Sequence, residues 1–135
     1  MPSHEVRFRV YYEDTDAGGV MYHARYLAFA ERARSEALRD AGASAASLAE
    51  RHGIVFAVRR LSAEYLRPLR LDDLVTITTE SLELRSASAR LRQTLAANDT
   101  VAAVLEVTLA AIRVPDMRPM RIPEPWASLL RPPVT

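Results

Sequence analysis

One stretch of this 135-residue chain carries a sustained helical period, and four stretches of period two follow it. Over residues 24–41, Tyr26, Phe29, Ala30, Ala33, Ala37 and Ala41 recur on one face while Arg32, Arg39 and Asp40 fall elsewhere, as in an amphipathic helix. Gly42 stands where such a helix is capped. The apolar face is mostly alanine, so a sheet backbone can approach it closely. Ahead of the helix, Val6, Phe8, Val10 and Tyr12 alternate with Arg7, Arg9 and Tyr11 as a strand. Beyond it, residues 54–66, 74–85, 87–95 and 101–109 read as strands. The apolar register shifts at Arg59 and Arg60, which predicts a bulge, and Asn98-Asp99 predicts a two-residue hairpin turn. Residues 44–53 read as a short helical turn and loop. Pro123 opens a small helix carrying Trp126, Leu129 and Leu130. The order defines an α+β architecture, one helix laid across one antiparallel sheet, in a single domain spanning 1–135.

Composition removes several classes of function. At 49% hydrophobic and 26% charged residues the chain is globular, and a net charge of +1 supplies no nucleic-acid patch. All eighteen basic residues are arginine, which suits phosphate recognition but is explained more simply by codon bias. Without cysteine there is no disulfide, thiolate metal site or thiol nucleophile. The first residues contain no apolar signal region, and no apolar run approaches the ~20 residues needed to span a bilayer. The expected location is the cytoplasm.

The chemistry concentrates in residues 9–26, R-V-Y-Y-E-D-T-D-A-G-G-V-M-Y-H-A-R-Y. A strand ends at Glu13, Asp14 and Asp16, turns through Gly18 and Gly19, and leads into the helix near His23. A carboxylate is thereby set beside unpaired N–H groups and the positive end of a helix dipole, where an oxyanion can develop. The D-x-D pattern invites a metal, but a calcium loop starting at Asp14 would need ligands at Gly18 and Arg25, so no metal is expected. Taken alone, Asp16 reads as a turn carboxylate at a helix start. The absence of G-x-S-x-G excludes a serine nucleophile elbow.

The same residues resemble the signature of the 4-hydroxybenzoyl-CoA thioesterase family of hotdog-fold enzymes. Arg9, Val10, Thr15, Asp16, Gly19, Val20, His23 and Tyr26 match its pattern, and Met21 replaces the usual valine. The following F-A-E-R-A-R-S-E is similar to the Tol-Pal-associated acyl-CoA thioesterase branch. The resemblance implies a hotdog fold, an antiparallel five-stranded sheet wrapped around one long helix. It also implies an acyl-CoA thioester hydrolase with Asp16 as nucleophile or general base and an oxyanion site near His23. Tyr22 and Tyr26 are the implied substrate contacts. Arg59, Arg60, Arg85, Arg90 and Arg92 are candidates for the coenzyme A phosphates, Arg59 and Arg85 with Ser86 and Ser88 first among them, and no cofactor is needed, coenzyme A being part of the substrate. The expected partners are a second copy of the chain in a dimer or tetramer, with an acyl carrier protein or Tol-Pal-associated proteins as further ones. The rival reading is a non-catalytic hotdog subunit that binds acyl-CoA or acyl carrier protein. A hotdog dehydratase would want a histidine paired with a carboxylate on the helix itself, which the first turns lack.

Overall fold

In a computed structural model the structure describes residues 3–134. The chain runs β1 (His4–Arg9), a 3-10 turn (Tyr12–Asp14), α1 (His23–Asp40), α2 (Ala45–His52), β2 (Ile54–Tyr65) and β3 (Leu74–Leu84). It continues through β4 (Ser88–Ala97), β5 (Thr100–Arg113), the two-residue β6 (Arg118–Pro119) and α3 (Trp126–Leu130). The strands form one antiparallel sheet in the order β1-β3-β4-β5-β2, with β6 on the end of β5. This is the α+β hotdog arrangement, five long strands around one long helix, with β6 as an addition that the alternation pattern did not signal.

Helix α1 buries Tyr26, Phe29, Ala30, Ala33, Ala37 and Leu38. Its end is a Schellman motif, in which Gly42 N–H donates to Arg39 O and Ala43 N–H to Leu38 O, both at 3.0 Å. Two apolar clusters fill the space between helices and sheet. One joins Val10, Phe29, Val75, Ile77, Leu95 and Leu105 around the first half of α1. The other joins Leu38, Leu48, Leu91, Val107, Leu109 and Trp126 around its second half and the two short helices. Trp126 is held by its indole N–H, which donates to Ala43 O at 2.8 Å.

Gln93 alternates with leucines on the core face of β4 and is fully buried. Its amide nitrogen donates to Ala30 O at 2.7 Å and to Thr79 Oγ1 at 3.0 Å, and its oxygen accepts from Arg34 at 3.3 Å. One side chain thus fastens helix to sheet and satisfies its own polar atoms.

The turn at Asn98 and Asp99 has positive φ at both residues (53° and 60°), joining Ala97 to Thr100 as a type I′ hairpin. Register slips between Val58 and Arg60, so Arg59 is the bulged residue. Two local expectations are corrected. The first strand stops at Arg9 rather than Tyr12, because Tyr11 N–H bonds the Asp14 carboxylate and residues 12–14 close a 3-10 turn. Residues 45–52 form a full helix, capped by the Ser44 hydroxyl, which accepts from Ser47 N–H at 3.1 Å.

Replacing Gln93 by Ala should lower the unfolding free energy by about 2–4 kcal/mol, since it opens a void and strands the Thr79 hydroxyl. Urea denaturation with an unchanged m-value checks this, and a loss below about 1 kcal/mol would contradict the fastening role.

Candidate active site

The segment between β1 and α1 is built by backbone hydrogen bonds that follow from its sequence. Asp16 N–H donates to Val20 O at 2.9 Å and Gly19 N–H to Asp16 O at 3.0 Å, closing a tight turn. The Asp16 carboxylate turns back on its own loop, where Oδ1 accepts Gly18 N–H at 2.8 Å. Both glycines are required. A Cβ on Gly18 would stand 3.2 Å from that same oxygen, and Gly19 has φ +80°. Met21 N–H then reaches Leu69 O, and Thr15 bridges Met21, so the turn is tied to the segment before β3.

Asp14 performs a different task from Asp16. It is only 4% exposed, and its Oδ1 accepts from Arg25 Nε at 2.9 Å and Nη2 at 2.7 Å. Oδ2 takes Tyr11 N–H at 2.9 Å, and the Asp14 carbonyl accepts Tyr22 N–H at 2.9 Å. The loop is thereby pinned to the first turn of α1. Asp16, by contrast, is exposed, and its second carboxylate oxygen has no hydrogen-bond partner among the described residues. Asp14 is fully engaged in holding the loop, and Asp16 keeps one carboxylate oxygen open.

Tyr22 caps α1 in an extended conformation, and no side chain satisfies the first N–H groups of the helix. His23 and Ala24 therefore present N–H donors with no intrahelical acceptor, at the positive end of an 18-residue helix. The exposed His23 imidazole lies 4.5 Å from the Tyr22 ring, and among the described residues no hydrogen bond joins it to Asp16. Tyr65, at the end of β2, donates its hydroxyl to His23 O at 3.1 Å and meets Tyr26 edge-on. Partial burial, then Tyr26, push the Tyr65 phenol pKa upward, so it stays a donor. Sequence reasoning missed Tyr65, whose position 42 residues beyond His23 carries no signal.

The other expected contacts divide. Tyr22 is exposed; Tyr26 is buried, and its hydroxyl accepts Leu69 N–H at 3.0 Å. Arg59 and Ser88 share one shallow hollow with Ala57, Ala110 and Met117. Arg85 and Ser86 line another, with Arg121 and Arg131 beside them. Arg85 is already bonded to Glu83 at 2.9 Å, and Arg90 and Arg92 face Glu106 at 2.9 and 3.8 Å. Arg121 and Arg131 escaped notice because they lie in the proline-rich tail, where no periodicity places them.

With this geometry in hand, comparison with known proteins is informative. Residues 18–104 match the family model described as the thioesterase superfamily. The chain is 41% identical over 116 residues to the acyl-CoA thioesterase YbgC of Haemophilus influenzae, covering 86% of this chain and 85% of that one. It is 45% identical over 118 residues to the acyl-CoA thioester hydrolase YbgC of Escherichia coli O157:H7, covering 86% and 87%. A crystal structure of a probable thioesterase from Bartonella henselae superposes with a TM-score of 0.84 at 37% identity, over 90% of this chain and 99% of that one. The fold and the loop-to-helix site define a hotdog domain, and the chain belongs to the thioesterase superfamily.

Asp14→Asn should cost about 2 kcal/mol of stability, less than a fully buried pair because Arg25 is partly exposed. Thermal unfolding checks this. Turnover per folded molecule should stay within about threefold of the parent, since Asp14 has no free oxygen to offer a substrate.

Proposed function

We propose that the chain hydrolyses acyl-CoA thioesters to a free acid and coenzyme A, with Asp16 as nucleophile or general base and the start of α1 as the oxyanion site. The observation that carries the reading is the half-satisfied Asp16 carboxylate, fixed through Gly18 N–H and open at its other oxygen, on a loop pinned to an uncapped helix N-terminus. The acyl-CoA thioesterases among its relatives support the same activity.

In the nucleophilic route the open Asp16 oxygen adds to the thioester carbonyl carbon, and the His23 and Ala24 amides receive the oxyanion. Collapse breaks the C–S bond, coenzyme A departs as thiolate and takes a proton from water, and a second water cleaves the anhydride to restore the carboxylate. In the general-base route Asp16 takes a proton from water, whose oxygen adds to the same carbon; collapse breaks the C–S bond, and the proton held by Asp16 passes to the departing thiolate. Both routes need the same donors. Tyr22 stands exposed beside those donors, while buried Tyr26 shapes the wall beneath them. The hollows holding Arg59 with Ser88, and Arg85 with Ser86, are the places for coenzyme A phosphates, since guanidinium pairs with phosphate through two parallel hydrogen bonds.

A second copy of the chain completes the functional unit. Every residue from Val58 to Pro68 is exposed, with Val58 at 52%, Leu61 at 38% and Leu66 at 49%, on an edge strand with one unpaired side. Such an edge is unprotected in a monomer.

Asp16→Asn should lower kcat at least ~100-fold and leave KM within a few-fold, because a charge needed in the transition state is lost without a change of shape. Thiol release from acyl-CoA is a clean assay here, the chain having no cysteine. An undiminished rate would remove Asp16 from the chemistry. Light scattering at micromolar concentration should give at least twice 15.1 kDa, and charges placed at Val58 and Leu61 together should shift the protein toward the single-chain mass.

A further inference from the structure

A cavity of about 250 Å³ lies between α1, α2, the start of β2 and the core face of the sheet. Most of its wall is apolar, with Leu48, Leu91, Leu109 and Leu130 contributing aliphatic side chains and Phe56 an aromatic ring. The polar exceptions on α1 and β3 are Glu31, Arg34, Ser35 and Thr79. Arg34 lies eleven residues past His23, about 16 Å along the helix at about 1.5 Å per residue, so the cavity is separate from the Asp16 loop.

Arg34 is the anomaly in this wall. Arg34 is half-buried, and a guanidinium partly withdrawn from water ordinarily has a carboxylate against it, because its charge is costly to bury and it carries five N–H donors. Arg34 has one hydrogen bond, a long 3.3 Å contact to the neutral oxygen of Gln93, and among the described residues no ion pair. Burial lowers its pKa, with the charge of Glu31 opposing that fall. The exposed Glu31 is not close enough to pair with it. The core thus holds an apolar chamber with an under-partnered cation on its wall.

We infer that this cavity binds an aliphatic carboxylate of medium chain length, its tail among Leu48, Leu91, Leu109 and Leu130 and its carboxylate on the Arg34 guanidinium. The charge follows from Arg34, which has donors to spare and no anion. The tail follows from the aliphatic wall. The size follows from the volume, which equals roughly eight waters at about 30 Å³ each and suits a ligand on the order of ten non-hydrogen atoms. A free carboxylic acid supplies that chemistry.

Calorimetric titration of the intact oligomer with sodium octanoate tests the inference. Saturable binding is expected, weakened about tenfold or more in Arg34→Gln, which keeps a hydrogen-bonding group for Gln93 but removes the charge. Octanol should bind more weakly than octanoate by a similar factor. Ala45→Trp, at an exposed position on the cavity wall, should abolish binding by filling the space. No saturable binding to the parent protein, or equal affinity in Arg34→Gln, would overturn the proposal. Because binding is measured without turnover, its failure is distinguishable from failure of the Asp16 chemistry.

Discussion

The ion pair between Asp14 and Arg25 is the interaction that fastens the loop before α1 to the first turn of the helix. Asp14 closes the 3-10 turn through Tyr11 N–H, holds the first turn of α1 through Arg25, and receives Tyr22 N–H on its carbonyl. Each bond removes a freedom that would let the loop swing away from the helix. Asp16, two residues farther on, is held by its own turn, its N–H on Val20 O and its carboxylate on Gly18 N–H. The two neighbouring carboxylates thus differ in environment, Asp14 buried and fully engaged, Asp16 exposed with one oxygen open.

Helix α1 is positioned with comparable economy. Its alanine face admits the sheet closely, and Gln93 then sets the helix against the sheet by bonding Ala30 O. Alanine gives proximity without orientation, because it has few atoms with which to prefer one rotation over another. Gln93 provides the orientation. The open N–H groups of His23 and Ala24 consequently point where the core directs them.

What could be read in the sequence was whatever depended on neighbours along the chain. The helix face, the alternation of β4 and β5, the bulge at Arg59 and the Asn98-Asp99 turn are local patterns, and all appear in the structure. The turn around Asp16 was legible because Gly18 and Gly19 answer a local backbone need. The task of Asp14 was not, since its partner Arg25 lies across that turn at a spacing with no periodic meaning. Residues 45–52 were underestimated because alanine and serine give weak periodicity, and the Ser44 cap that defines their start is a matter of geometry. Tyr65 and the unpaired Arg34 became visible only when distant segments were brought together.

The topology also orders events in time. Strand β1 pairs with β3, matching Val6 to Ile77, and β2 pairs with β5, matching Ile54 to Arg113. During synthesis the Asp16 loop emerges first, yet its fixing contacts to Leu69 and Asp73 come from a segment made some fifty residues later. Strand β2 must likewise wait for β5 before it has a strand to pair with. Such long-range closure slows folding relative to chains dominated by neighbouring contacts. The Asp16 loop is therefore among the earliest segments to leave the ribosome and among the last to be set in place, so a growing or truncated chain carries it without the contacts that fix it.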